Sequence, residues 1–176
     1  ESGISTFRDA NGLWNNHKIE EVASPEGFEK DPQLVLDFYN ARRRQLDEVN
    51  PNEAHHLIAQ LETKYNVTII TQNIDDLHER AGSTNVLHLH GELRKCRSSK
   101  NPNLIYTCTQ DIKLGDLASD GNQLRPHIVW FGEAVTEIEK AIHDPYQKGC
   151  VVSGTSAGAA VMSKLMITGN ELKHKE

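Results

Sequence analysis

Short apolar runs bounded by polar clusters set the rhythm of this chain. Val67-Thr68-Ile69-Ile70 is β-branched and brief, which predicts a buried strand. Val86-Leu87-His88-Leu89 predicts a second, the stretch 127–131 a third and 149–153 a fourth. Between them the spacing turns helical. Asp31-Pro32 starts a helix, with Asp as N-cap and Pro in the first turn. Leu34, Val35, Phe38 and Leu46 give that helix an apolar face that runs to about Asn50. Asn50-Pro51 opens a second helix, with Ala54, Leu57, Ile58 and Leu61 on one side, and Tyr65-Asn66 closes it. A helical turn is predicted over 76–80, and further helices over 135–142 and 157–167. Strands alternating with helices predict an α/β fold around a parallel sheet. Residues 1–14 read as loop, and 94–126 as a polar module with turns at Asn101-Pro102-Asn103 and Asp120-Gly121-Asn122.

The 176 residues suffice for one domain with a real core. A net charge of −6 excludes a general nucleic-acid or membrane-surface footprint, so neither is expected as a partner. No apolar run approaches the roughly 20 residues of a membrane span. Cys96, Cys108 and Cys150 are odd in number and widely spaced. That predicts no disulfide framework and a reducing, cytoplasmic setting. A structural zinc site needs four tetrahedral ligands, and Cys96 and Cys108 lack partner cysteines, so no zinc is expected.

The chemistry concentrates where the first two strands end. Thr71-Gln72-Asn73-Ile74-Asp75 follows one and His88-Leu89-His90-Gly91 closes the other. Polar groups at the carboxyl edge of a parallel sheet stand where such sheets bind ligands. Histidine titrates near neutrality and suits general-base work. His88 and His90 alternate on one strand face, and spacing alone does not choose between them. Asn73 or Asp75 could equally cap the helical turn that follows. Tyr39 and Arg42 are three apart on a predicted helix and share a face. Taken alone they belong to a basic run, Arg42-Arg43-Arg44, that reads as a solvated face, although a guanidinium can grip a carboxylate with two hydrogen bonds.

With Gly3-Ile4-Ser5-Thr6-Phe7-Arg8, its extension through Asp9 to Trp14, and Val129-Trp130-Phe131-Gly132-Glu133, these motifs resemble the sirtuins over about residues 1–142. The resemblance implies an incomplete doubly wound, Rossmann-like parallel sheet. A small zinc-less module at about 94–126 and part of the 15–60 helical region are inserted in it. It implies NAD-dependent removal of acyl groups from lysine in proteins or peptides. His90 would be the base, Asn73 would orient the reacting ribose, and Asp75 would meet the nicotinamide amide. Gly3, Ile4, Thr6, Phe7, Arg8, Trp14, Gln72 and Ile74 would complete that part of the NAD site. Tyr39 and Arg42 would read an acidic acyl group. Val129, Phe131, Gly132 and Glu133 would form the strand on which the acyl-lysine peptide lies. The glycine-rich pyrophosphate turn of the family is absent from these 176 residues, which start just after its place at Glu1-Ser2-Gly3.

A second resemblance begins near residue 143. Gly154, Thr155 and Ser156 stand where sirtuins carry a cofactor-binding Gly-Thr-Ser. The continuation Ala157-Gly158-Ala159-Ala160-Val161-Met162 is similar to cyanophycinase, a serine peptidase of the dipeptidase E type. There Gly-Thr-Ser-Ala-Gly is a nucleophile elbow, which would make Ser156 the nucleophile. The expectation is a chimera joined near 142–146, with 143–176 as a strand–turn–helix fragment. A peptidase fragment centred on Ser156 and a non-catalytic remnant that binds acyl-peptide or NAD are the alternatives.

Overall fold

The computed structural model describes residues 3–4, 17–134, 148–151 and 153–154. The chain divides into two compact units, Glu1–Thr136 and Glu137–Glu176. Every helix and strand below lies in the first.

Three helices open it: α1 (Ile19–Val22), α2 (Pro25–Lys30) and α3 (Pro32–Gln45). Asp31 caps α3 as its sequence demands, its carboxylate accepting from the Leu34 amide at 3.0 Å with Pro32 next in line. The helix stops at Gln45, short of the expected Asn50. Arg80 holds the chain beyond it, donating to the Leu46 and Val49 carbonyls at 2.9 and 2.7 Å. α4 (Glu53–Leu61) follows, capped by Asn52. Its apolar side is not buried among the described residues, and Leu57 stays 52% exposed.

Strands β1 (Ile69–Thr71) and β2 (Val86–His88) pair in parallel, Ile69 opposite Val86 and Thr71 opposite His88, with α5 (Leu77–Arg80) between them in sequence. This is the described part of the expected parallel sheet. A second, antiparallel sheet has the order β4-β3-β5: β3 (Gly91–Ser98), β4 (Ile105–Thr107) and β5 (Leu124–Ile128). It occupies most of the module that the sequence analysis reads only as polar turns. Leu93, Cys96 and Ser98 of β3 point inward while Arg94, Lys95 and Arg97 are partly exposed, and a bulge between Glu92 and Cys96 breaks the alternation.

The strand expected at 127–131 is shifted. β5 starts before Pro126, which an edge strand tolerates because its missing N–H is not needed there. From Val129 the chain turns, with Gly132 at φ +90° and the Glu133 amide donating to the Trp130 carbonyl at 3.0 Å. The strand expected at 149–153 is also absent among its described residues: Gly149 sits in a turn at φ +84°. The helices expected over 135–142 and 157–167 lie outside the described residues.

The main core joins α3 to the antiparallel sheet through Val35, Phe38, Tyr39, Leu46, Leu93, Ile128 and Trp130, with Ile74 among them. A second core gathers Leu36, Cys96 and Ile112, with Cys108 packed against it. Polar side chains cross between them. The buried Asn40 amide bonds both ways with the Ile112 backbone at 2.8 and 2.9 Å. Buried Arg43 donates to the Leu93 carbonyl at 2.8 Å and to Asn40 at 2.7 Å. Paired in this way, buried polar groups fix the register of α3 on the sheet instead of weakening it.

Candidate active site at the carboxyl edge of the parallel strands

Because β1 and β2 run in the same direction, their following loops leave from one edge. The Leu89 amide extends the ladder by donating to the Thr71 carbonyl at 2.9 Å. The loop after β1 is pinned by Ile74, which is buried, and by its carbonyl, which accepts from the Leu93 amide at 2.8 Å. Gln72 and Asn73, on either side of this loop's first turn, are exposed. The loop after β2 is pinned by the His90 carbonyl, which accepts from the Val129 amide at 2.9 Å. Gly91 closes it at φ +82°, where a Cβ would stand 2.0 Å from the His127 carbonyl oxygen. Only glycine fits that approach.

Two imidazoles hold two successive carbonyls. His90 Nδ1 lies 3.1 Å from the Gln72 carbonyl oxygen, and His88 Nδ1 lies 2.8 Å from that of Asn73. A carbonyl only accepts, so each Nδ1 carries a proton. In the neutral form of His90 this tautomer puts the lone pair on Nε2, the arrangement a general base requires. His88 is engaged at the other end too: its Nε2 is 2.7 Å from Glu79 Oε1, and its side chain is 5% exposed. This asymmetry separates two histidines that sequence spacing leaves equivalent.

Asp75 is half-buried, and one carboxylate oxygen accepts from the Leu77 amide at 3.2 Å. It therefore makes the helix-start bond that the sequence left as an alternative, and its second oxygen is not used by that bond. Neutral amides beside an imidazole with one open nitrogen form a donor set suited to ribose hydroxyls and a carboxamide. Among the described residues, the ligand atoms of Glu79, His88 and Glu92 lie within 4.8 Å of one another. Lys95 occupies Glu92 at 2.5 Å and hydrogen bonds to Glu79 and the Asn73 carbonyl occupy both His88 nitrogens, so these ligand atoms are already engaged.

Tyr39 and Arg42 share the buried face of α3, at 1% and 4% exposure. The solvated basic face belongs to Arg44 instead, which pairs with Asp111. Arg42 lies over the Phe38 ring, 4.7 Å from its centroid. The Tyr39 hydroxyl accepts from the Trp130 indole N–H at 3.0 Å, and burial pushes its pKa well up, so it stays a neutral phenol.

Glu133 turns inward. Its carboxylate takes Arg125 at 2.8 Å, Arg97 at 3.0 Å and the Trp130 amide at 2.8 Å. Burial works against its charge, but the Arg125 and Trp130 hydrogen bonds and the Arg97 charge outweigh it, and its pKa falls below the ordinary value. Burial lowers Arg125 to about 10, and its guanidinium lies over the Trp130 indole, 3.2 Å from the ring centroid. Arg97 and Arg125 carry no role in the sequence motifs, and Trp130 stands there only as a variable position of the Val129–Glu133 string. The eight-residue offset of Arg125 from Glu133 was the available signal, and it is legible only once the chain is known to turn at Gly132. Phe131 is 60% exposed, while Val129 is half-buried. The main-chain N–H groups of 129, 130, 131 and 133 bond within the fold.

Of the other expected site residues, Gly3 is exposed and Ile4 packs against the main core. Gly154 is described in the second unit. Thr6, Phe7, Arg8, Trp14, Thr155 and Ser156 lie outside the described residues. Cys96, Cys108 and Cys150 are free thiols.

The sequence model described as Sir2 family matches residues 1–161, beyond the point near 142 where the sequence analysis expects that resemblance to end. A Helicobacter pylori protein named NAD-dependent protein deacylase is 66% identical over 142 residues, 81% of this chain and 62% of that protein. One of the same name from Aggregatibacter actinomycetemcomitans is 54% identical over 157 residues, 89% of this chain and 76% of that protein. The chain thus spans about three-fifths of the length of its Helicobacter pylori relative. The solved structure of a Sir2 homolog–NAD complex superposes with a TM-score of 0.69 at 42% identity, over 84% of this chain and 57% of that one. A structure of a Sir2 point mutant with p53 peptide and NAD gives 0.61 at 30% identity, over 83% and 59%.

Proposed function

The chain belongs to the Sir2 family, and from that premise we propose that it carries the acyl-transfer end of an NAD-dependent protein-lysine deacylase. The observation that carries this reading is the His90 imidazole, held by the Gln72 carbonyl with Nε2 open beside exposed Gln72 and Asn73. The donor set suits a nicotinamide riboside. When bound, NAD supplies the ribose carbon that nicotinamide leaves and the acyl group reaches. His90 Nε2 takes a proton from a ribose hydroxyl, which its neutral form does without a prior proton loss. The Asn73 amide orients that ribose, Gln72 steadies it, and Asp75 offers a carboxylate oxygen to the nicotinamide carboxamide.

Tyr39 and Arg42 make the acyl group an acidic one, succinyl or malonyl, with acetyl also accepted. A cation that is already desolvated on a buried helix face gains more from a carboxylate than a solvated one does. The turn at Val129–Gly132 receives the peptide. No zinc takes part in this reading: Cys96 and Cys108 belong to a hydrophobic cluster with Leu36 and Ile112. A joint near 142–146 and a Ser156 nucleophile rest on the resemblance of the string from Gly154 through Met162 and beyond. The family match continues across it, which favours the deacylase reading for the chain as a whole.

The test is nicotinamide release from NAD with a succinyl-lysine peptide, by the wild type and by His90→Ala. Loss of release by at least about a hundredfold in the variant is expected of a missing general base. Equal release by both proteins would rule out His90 as the base.

A further inference from the structure

The His88 imidazole is bonded at both nitrogens, to Glu79 at 2.7 Å and to the Asn73 carbonyl at 2.8 Å, although it stands next to the candidate base. We propose that Glu79 and His88 form a clamp that positions Asn73 for the reacting ribose, a role that rests on the deacylase reading.

The chemistry of the two partners fixes what the ring must be. A carbonyl oxygen and a carboxylate oxygen both accept, so both bonds form together only when both ring nitrogens carry protons. The Glu79 carboxylate offsets the charge this gives a ring that is 5% exposed. Glu92, the other carboxylate within reach, is bound by Lys95 and does not compete for the ring. His78, next to Glu79, has its pKa lowered by burial and by His55, and adds no second cation at neutral pH. His90 differs by having one acceptor only, the Gln72 carbonyl.

The clamp spans three elements: Glu79 from α5, His88 from the end of β2, and the loop that carries Asn73. The Asn73 backbone is held on both sides of its side chain. Its N–H donates to Thr71 Oγ1 at 3.0 Å, and its carbonyl accepts from His88. With both backbone groups fixed, the Cα–Cβ bond of Asn73 keeps one direction, which places its exposed amide where a group that must meet one ribose hydroxyl needs to stand. Glu79 and His88 act through Asn73 and are positioning residues.

The experiment compares the wild type, Glu79→Gln and His88→Ala by nitrogen-15 NMR of the imidazoles near neutral pH and by amide exchange. The clamp predicts a His88 ring protonated at both nitrogens in the wild type and at one in Glu79→Gln. It predicts Asn73 amide exchange faster by about tenfold in both variants, the size expected for losing one charge-assisted hydrogen bond. In nicotinamide release, kcat should fall about tenfold while the peptide KM stays within about twofold, as for an interaction that matters in the transition state. A His88 ring with one proton in the wild type would overturn the clamp, as would unchanged Asn73 exchange in Glu79→Gln. If exchange in His88→Ala rises throughout the chain, that variant has lost its fold, and the isosteric Glu79→Gln decides. Absence of nicotinamide release by the wild type would remove the deacylase reading but leave the clamp to be judged by the ring protons and amide exchange.

Discussion

Arg42 shows how burial changes the meaning of a charge. In sequence it opens a run of three arginines, and by residue type the run reads as a solvated face. On α3 the three separate: Arg44 is at the surface with Asp111, Arg43 is spent on the Leu93 carbonyl and Asn40, and Arg42 lies buried over Phe38. Arg42→Met keeps the stem and removes the fork that a succinyl carboxylate would engage. Desuccinylation should then fall at least about a hundredfold, about two charge-assisted hydrogen bonds, while deacetylation stays within about threefold. Parallel kinetics on succinyl- and acetyl-lysine peptides check this, and equal loss of both would end the acidic-acyl assignment. Gly91 carries a prediction of a different kind. Gly91→Ala puts a methyl group into the His127 carbonyl and strains a positive φ, so it should cost about 2–3 kcal/mol of stability in urea melts. At this scale the sequence is most legible where one residue type is demanded, as at Asp31 and Gly91. It is least legible where the partner is remote, as for Arg97 and Arg125 on Glu133.

At the scale of elements, sequence pattern reads correctly where burial follows a simple period. The start of helix α3 and the strand pair β1–β2 are found close to their observed bounds because their caps and apolar positions recur as theory asks. The antiparallel sheet escapes it. Its central strand carries Arg94, Lys95 and Arg97, its bulge breaks the alternation, and Pro126 argues against a strand where one exists. What ties β3, β5 and the turn after β5 together is ionic as well as apolar, centred on Glu133 between Arg97 and Arg125. Glu133→Gln leaves two guanidinium groups with a weaker acceptor. It should lower stability at neutral pH by about 2–3 kcal/mol, in the range for breaking a buried charged pair after discounting its partial exposure. A urea titration that places the variant within a few tenths of a kcal/mol of the wild type would show the pair to be ornamental.

For the molecule as a whole, the shifted groups set a direction in pH. His78 and His127 have pKa values lowered chiefly by burial, so the unfolded chain takes up protons at these sites first as pH falls below their ordinary value near 6.5. Glu133, also lowered, adds stability above its ordinary value of 4.5 that is lost as pH drops through its folded value. In both cases the unfolded state binds more protons, so these groups make stability decline as pH falls below about 6.5. A melting temperature that rises on acidification would contradict the assigned environments of these groups. The site itself belongs to the scale of the whole unit. Its histidines and amides are adjacent in space only because two parallel strands end at one edge, and the antiparallel sheet then grips the second loop through Val129.

The central claim is that this edge transfers an acyl group from lysine to ADP-ribose. The most direct measurement is mass spectrometry of the products after incubating the chain with NAD and a succinyl-lysine peptide. The account predicts free lysine peptide, nicotinamide and succinylated ADP-ribose in equal amounts, none of them formed by His90→Ala. A deacylated peptide released with free succinate and no consumption of NAD would contradict it.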